Sequence, residues 1–187
     1  MGLRTVVEPA THGLTLDEAK AYLKVETTDE DTTIQSLIEA ARQHVEDITW
    51  CAISPRTMEL TLERWEREIL LPMPPLTKVT SVVYCDPVGV KQTLSTDKYD
   101  VDLNAMPGRI TPSYGNCWPA IRPGIGAIII TYECGHSSAP QALKQAMMLL
   151  VTHWFENRSA VEIGHVVAET PIAVDALCGP HRVVRFY

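Results

Sequence analysis

His153 and Glu156 stand three residues apart near the end of a helical-looking stretch, which places an imidazole and a carboxylate on one helix face. A metal ion could use both. Di-metal bundles, however, use Glu-x-x-His on two helices with further glutamates. Here the order is reversed and no second copy exists, so the reading is a polar pair at a helix end. Cys134 and His136 are two apart, and in a strand both would point to one face, as a thiol and its base do. Nothing supplies an oxyanion hole or a third orienting group. A glycine turn flanked by a buried Cys and an exposed His is the preferred reading. Together His136, His153, Cys134 and Glu156 define the enzyme alternative, a small metal- or thiol-dependent hydrolase.

Asp100 and Asp102 could pair for acid–base work, but they alternate with Tyr99, Val101 and Leu103 and read as the solvent face of a strand. Gly124-x-Gly126 lacks a third glycine and precedes a strand instead of a helix, so it is no phosphate loop. Trp118-Pro119 and the aromatics of the C-terminal tail could stack on bases. Few basic residues lie near, and packing or a protein interface is the better reading. No catalytic, cofactor or metal residue is therefore expected.

The scaffold for these groups centres on Pro140–Arg158. Its middle, Ala146 to Val151, is apolar on every side and is expected to be buried all round, with at least two elements packed on it. The run is too short to cross a bilayer, which takes roughly 20 residues. Upstream, Thr15 and Glu18 fit a capping box opening a helix over about 15–24. Asp29–Asp31 lead into a second helix ending near Trp50, striped by Ile34, Leu37, Ile38, Ala41, Val45 and Ile48. Its other face carries Gln35, Glu39, Arg42, Gln43 and Glu46.

From Pro55 the period changes to two. Strands are expected at Thr57–Leu62, Ile69–Leu71, Val79–Cys85, Val90–Leu94 and Tyr99–Leu103, then around Arg109–Thr111, with Ala127–Tyr132 central. Asp86-Pro87-Val88-Gly89 has type I turn residues. Pro72-Met73-Pro74-Pro75 excludes helix. Residues 1–13 read as a loose lead-in, 159–170 as a polar link, Pro171–Leu177 as a short helix, and 181–187 as an extended tail. The fold class is α+β. A helical bundle over 1–54 and 135–180 accepts an antiparallel β-rich insert over 55–134 and ends in the tail.

The net charge of −7 argues against a domain that grips phosphates. Five scattered cysteines with no C-x-x-C read as reduced thiols, mostly buried, in a cytosolic setting. The start, MGLRTVVEPATHG, has no apolar h-region, so no signal peptide is expected, and Val6 argues against myristoylation of Gly2.

The order of landmarks resembles the phage head–tail connector (adaptor) family, in its branch with a β-rich insert. The resemblance rests on the acid-started helix Asp29–Trp50, on Leu71-Pro72-x-Pro74-Pro75-Leu76-x-x-Val79-x-Ser81-Val82 and on Tyr84-x-Asp86-x-x-Gly89. Tyr99-x-Val101-Asp102, Pro107-Gly108-Arg109-Ile110, Trp118-Pro119, Tyr132-x-x-Gly135 and Glu156-Asn157-Arg158 complete it. Glu133-Cys134-Gly135-His136 departs from the usual small and aromatic residues there. The resemblance implies a non-catalytic virion protein. It would form a twelvefold ring under the portal, extend the DNA channel without sequence-specific contacts, and dock a neck, stopper or tail-terminator protein.

Arg182, Val183, Val184, Arg185, Phe186 and Tyr187 form an extended end bearing arginines and aromatics; with the resemblance, they are expected to dock on the portal, the alternative being a tail packed back on its own domain. Head-to-tail ring closure needs two different complementary faces. Glu39, Arg42 and Glu46, with Pro72, Pro74 and Pro75, are the expected inter-subunit residues. A binding module acting on a host protein is the third class considered.

Overall fold

The computed structural model describes residues 1–157 and 172–183. The chain divides into two compact units. One comprises residues 1–10 and 55–135, the other 11–54 and 136–187.

The β unit holds a five-stranded antiparallel sheet in the order β1-β2-β8-β4-β5. Its strands are β1 (Gly2–Val7), β2 (Arg56–Leu62), β4 (Leu76–Cys85), β5 (Lys91–Thr93) and β8 (Ile128–Cys134). Strand β8 is central, as its apolar run predicts. Strands β2 and β8 alternate buried and half-buried residues along their whole length. Leu60 and Val82 both lie opposite Ile130, and all three are fully buried. This row of β-branched and leucine side chains is the packing unit that holds the sheet together.

Strand β1 corrects the loose lead-in expected for residues 1–13. It pairs with β2, Leu3 opposite Leu60 and Arg4 opposite Glu59. Arg4 grips Glu59 through two hydrogen bonds of 2.8 and 2.9 Å.

A second sheet has the order β3-β7-β6, from β3 (Ile69–Leu71), β6 (Tyr99–Asp102) and β7 (Gly108–Pro112). Tyr99 is buried and Asp100 exposed, as alternation predicts. Val101 and Leu103, expected to face inward, are 37% and 46% exposed. Gly108 lies so close to β4 that a Cβ there would sit 2.4 Å from the Leu76 Cβ. Gly108→Ala must therefore displace one of the two strands. We expect a stability loss of about 1–3 kcal/mol, measurable by chemical denaturation.

The helical unit contains α1 (Leu16–Leu23), α2 (Asp31–Thr49), α3 (Gln141–Glu156) and α4 (Ile172–Cys178). Thr15 and Glu18 form the reciprocal capping box. Lys24 and Trp50 close α1 and α2 in left-handed conformations. Ile34, Ile38, Ala41 and Val45 of α2 meet Leu143, Ala146, Met147, Leu150 and Val151 of α3 in one cluster. Helix α3 contacts α1, α2 and α4. It is not buried all round, because Met148 and Leu149 remain half-exposed at the edge of that cluster. Helix α4 matches the expected short helix and runs on into a 3-10 turn over Gly179–His181. The expected polar link 159–170 lies outside the described residues, as do Arg158, Pro171 and Val184–Tyr187.

Candidate interaction surfaces

The groups with chemical potential do not converge. Cys134 is buried at the end of β8, and His136 begins the second passage of the chain through the helical unit. At the end of α3, the Asn157 amide donates to the His153 carbonyl at 2.8 Å, and Glu156 faces solvent. Among the described residues, no three His, Cys, Asp or Glu side chains converge as a metal would require. All five cysteines are free, with Cys51, Cys134 and Cys178 buried and Cys117 exposed. Burial, and then the Glu46 carboxylate, push the Cys51 thiol up to about 11, a protonated and unreactive state.

Asp102 is tied into its own sheet. Arg109 donates Nε to Asp102 Oδ2 of β6 and Nη1 to Glu68 Oε1, just before β3, both at 2.9 Å. The guanidinium, helped by the Asn104 and Ala105 amides, holds the Asp102 carboxyl below the usual carboxylate range. A cleft of about 190 Å³ beside the starts of α1 and α3 is lined in part by Thr15, His136, Ser137 and Lys144. Lys144 spends its charge on Glu18 at 2.8 Å.

His136 is half-buried, and its backbone N–H donates to the Ala52 carbonyl at 3.2 Å. Burial first, then the nearby His181 imidazole, lower its pKa. The unfolded chain then binds the proton more readily than the folded one. The resulting stability is present above the unfolded pKa, about 6.5. It is lost as pH falls from there through the folded value. Thermal melts from pH 7 to pH 5 should show this loss in the wild type and a smaller one in His136→Gln.

Trp118 is not presented for base stacking. Its ring lies on Trp65, with centroids 4.6 Å apart and planes 7° from parallel, and Tyr84 sits 6.1 Å from Trp65. Trp65 Nε1 donates to the Pro119 carbonyl at 2.9 Å, and Trp118 Nε1 donates to the Glu66 carbonyl at 2.6 Å. The pair clasps the long loop before β8 to the loop after β2. Nothing in the short-range pattern around Arg64-Trp65-Glu66 marks Trp65 as the partner. Trp65→Ala removes a stack and an indole hydrogen bond. We expect it to cost about 1–3 kcal/mol and to abolish the near-ultraviolet circular dichroism of the stacked indoles.

Most residues expected at an inter-subunit face are internal. Arg42 and Glu46 are 3% and 5% exposed. They pair at 2.6 Å, and Glu46 Oε1 also accepts the Ile53 backbone N–H at 2.8 Å. Glu46 thus fastens the turn after α2 and is not displayed. Pro72 and Pro74 are buried and Pro75 half-buried. The Tyr132 hydroxyl donates to the Pro72 carbonyl, and the Gly135 N–H to that of Pro75, both at 2.9 Å. Only Glu39 is displayed as expected, on the exposed stripe Gln35, Glu39, Gln43 and Asp47.

The tail is described only as far as Val183. Its first residues pack on their own unit at the end of α2. The Val183 N–H donates to the Thr49 carbonyl at 2.8 Å, Arg182 Nε to the Ile48 carbonyl at 3.2 Å, and the Cys51 thiol to the His181 carbonyl at 3.2 Å.

This two-unit α+β architecture is shared with virion proteins. The model of the family described as "Head completion protein" matches residues 14–164. The chain belongs to the head completion protein family. It is thereby a structural component of the head–tail region of a phage or gene transfer particle, and the resemblance to head–tail connectors holds. Solved structures similar to this head completion protein include a chain from the neck of an empty gene transfer agent (GTA) particle computed with C6 symmetry, at 27% identity and TM-score 0.81. A chain from the virion of a native GTA particle matches at 27% identity and 0.79. One from the neck of a native GTA particle computed with C12 symmetry matches at 26% and 0.80. Each match covers 100% of this chain and 98% of the other. No curated protein sequence matches it.

Proposed function

We propose that this head completion protein is a head–tail adaptor that works by shape. Copies form a ring beneath the portal, extend the DNA channel and present a surface to the next neck component, a stopper or tail terminator. The observation that carries this reading is the likeness, over the whole chain, to chains of particle necks computed with C6 and C12 symmetry. The absence of converging reactive groups among the described residues is compatible with it.

The charge distribution supports passage of DNA without grip. Residues 11–54 carry nine acidic and three basic side chains, and so supply six of the seven net negative charges. Phosphate-neutralising cations would hold DNA in place, whereas an acidic wall lets it slide. Virion assembly in the host cytoplasm, attachment to the portal through the C-terminal tail, and contact between neighbours through the Glu39 stripe belong to the same proposal. Pull-down of the purified protein on its portal ring tests it. Stable attachment, with no salt-sensitive affinity for DNA, is expected. Failure to attach, or tight DNA binding that collapses between 50 and about 200 mM salt, would count against the adaptor role.

A further inference from the structure

Two turns at one end of the five-stranded sheet carry apolar side chains into solvent. Strand β4 runs out through Asp86-Pro87-Val88-Gly89 into β5, and the turn 124–127 leads into β8, the strand beside β4. Val88 is 84% exposed, Val90 53% and Ile125 96%. The two turns are tied together. The Cys85 N–H donates to the Ala127 carbonyl at 2.8 Å, and the Arg122 N–H to the Cys85 carbonyl at 3.1 Å. Each turn is also fastened within itself. Asp86 Oδ1 accepts the Val88 and Val90 amides at 3.0 and 2.9 Å. The Gly89 N–H donates to the Asp86 carbonyl, and the Ala127 N–H to that of Gly124. Three branched apolar side chains are thus held in water on a fixed frame, so a partner would meet them with little left to order.

Charge limits what that partner can be. Residues 85–91 and 121–127 carry one acid, Asp86, and two bases, Lys91 and Arg122. Asp86 is spent on its own turn, whereas Lys91 and Arg122 are exposed and make no ion pair among the described residues. Arg122 lies beside the hairpin, since a Cβ on Gly89 would stand 3.3 Å from its Nη1. Two such knobs facing each other would set like charges together, which disfavours a self-complementary contact. The outer stripe of α2 has the opposite sign. Glu39 and Asp47 stand eight residues apart on it, about 12 Å along the axis. Small Ser36 and Ala40 are exposed beside them. Neither carboxylate has an ion-pair partner among the described residues.

We infer that the knob of Val88, Ile125, Lys91 and Arg122 docks on the α2 stripe of a second copy, its cations at Glu39 and Asp47 and its apolar tips over Ser36 and Ala40. The inference rests on the ring reading above and supplies the face that meets the Glu39 stripe. A contact between two different faces leaves a knob free at one end and a stripe free at the other, so it propagates head to tail until it closes. Two apolar tips and two ion pairs make a small interface. Free subunits are therefore expected to stay separate and to join where the portal gathers them.

The test assembles the full-length protein on its portal ring from equal amounts of unlabelled and isotope-labelled subunits. A carbodiimide then joins amines to carboxylates that are in contact. The wild type should give mixed-isotope peptides linking Lys91 to Glu39 or Asp47. Ile125→Asp, and separately Lys91→Glu with Arg122→Glu, change only exposed side chains and should keep the wild-type melting temperature. Each should weaken assembly between neighbours about tenfold or more. Adding Glu39→Lys and Asp47→Lys to the second variant reverses both faces and should restore assembly. Wild-type rings that close without such a peptide, or undiminished assembly in both knob variants, would overturn the inference and leave the ring reading standing. Knob variants that still join their neighbours but lose the portal or the next neck component would assign the knob to that partner and overturn it too. Absence of any wild-type oligomer on the portal would overturn the ring reading itself, and the inference with it.

Discussion

Glu46→Ala should destabilise the helical unit by about 3–5 kcal/mol. The wild-type carboxylate does two jobs at once, pairing with Arg42 and accepting the Ile53 amide. Its removal strands a guanidinium that is 3% exposed and orphans a buried N–H. Each is a named route to a large loss, and domains of this size hold only about 5–15 kcal/mol in all. Urea denaturation measures the change. The double variant Arg42→Met, Glu46→Leu removes both charges together, so it should recover more than half of the loss. A change below about 1 kcal/mol in the single variant would mean that the buried pair contributes nothing net.

A chain ending at Val183 should keep its thermal midpoint and lose its partner. Among the described residues, three hydrogen bonds fasten the start of the tail, all at or before Val183. Removing residues 184–187 leaves these three bonds in place. The truncation should shift the melting temperature by no more than about 2 °C, consistent with a change of a few tenths of a kcal/mol. Portal attachment should fall below detection in sedimentation. A large drop in melting temperature would instead show that these residues help to hold the subunit together.

The local periods were legible. The stripe of Ile34, Ile38, Ala41 and Val45 marks α2, and the alternation around Met58, Leu60 and Leu62 marks β2, because each pattern is written by neighbours in the chain. The order of landmarks was enough to indicate the family. What escaped depends on partners far away. Strand β1 is short, opens on a glycine, and owes its existence to β2 more than fifty residues on.

Arg42 and Glu46 follow Ile38 at four and eight residues, on the border of the buried stripe. Their charge made them read as surface, and nothing local indicates that Glu46 would meet the Ile53 amide. Pro72-Met73-Pro74-Pro75 read as a rigid turn-like segment at an inter-subunit face. The hydroxyl of Tyr132, sixty residues later, draws that turn inward. In each case a polar group found its partner through the tertiary fold, a pairing that periodicity does not encode.

The central claim is best tested by imaging the neck of the particle that carries this chain. The account predicts many identical copies of the two-unit subunit, arranged as a closed ring coaxial with the DNA path and in contact with the portal. A neck lacking the chain, or holding it as isolated copies away from that axis, would contradict it.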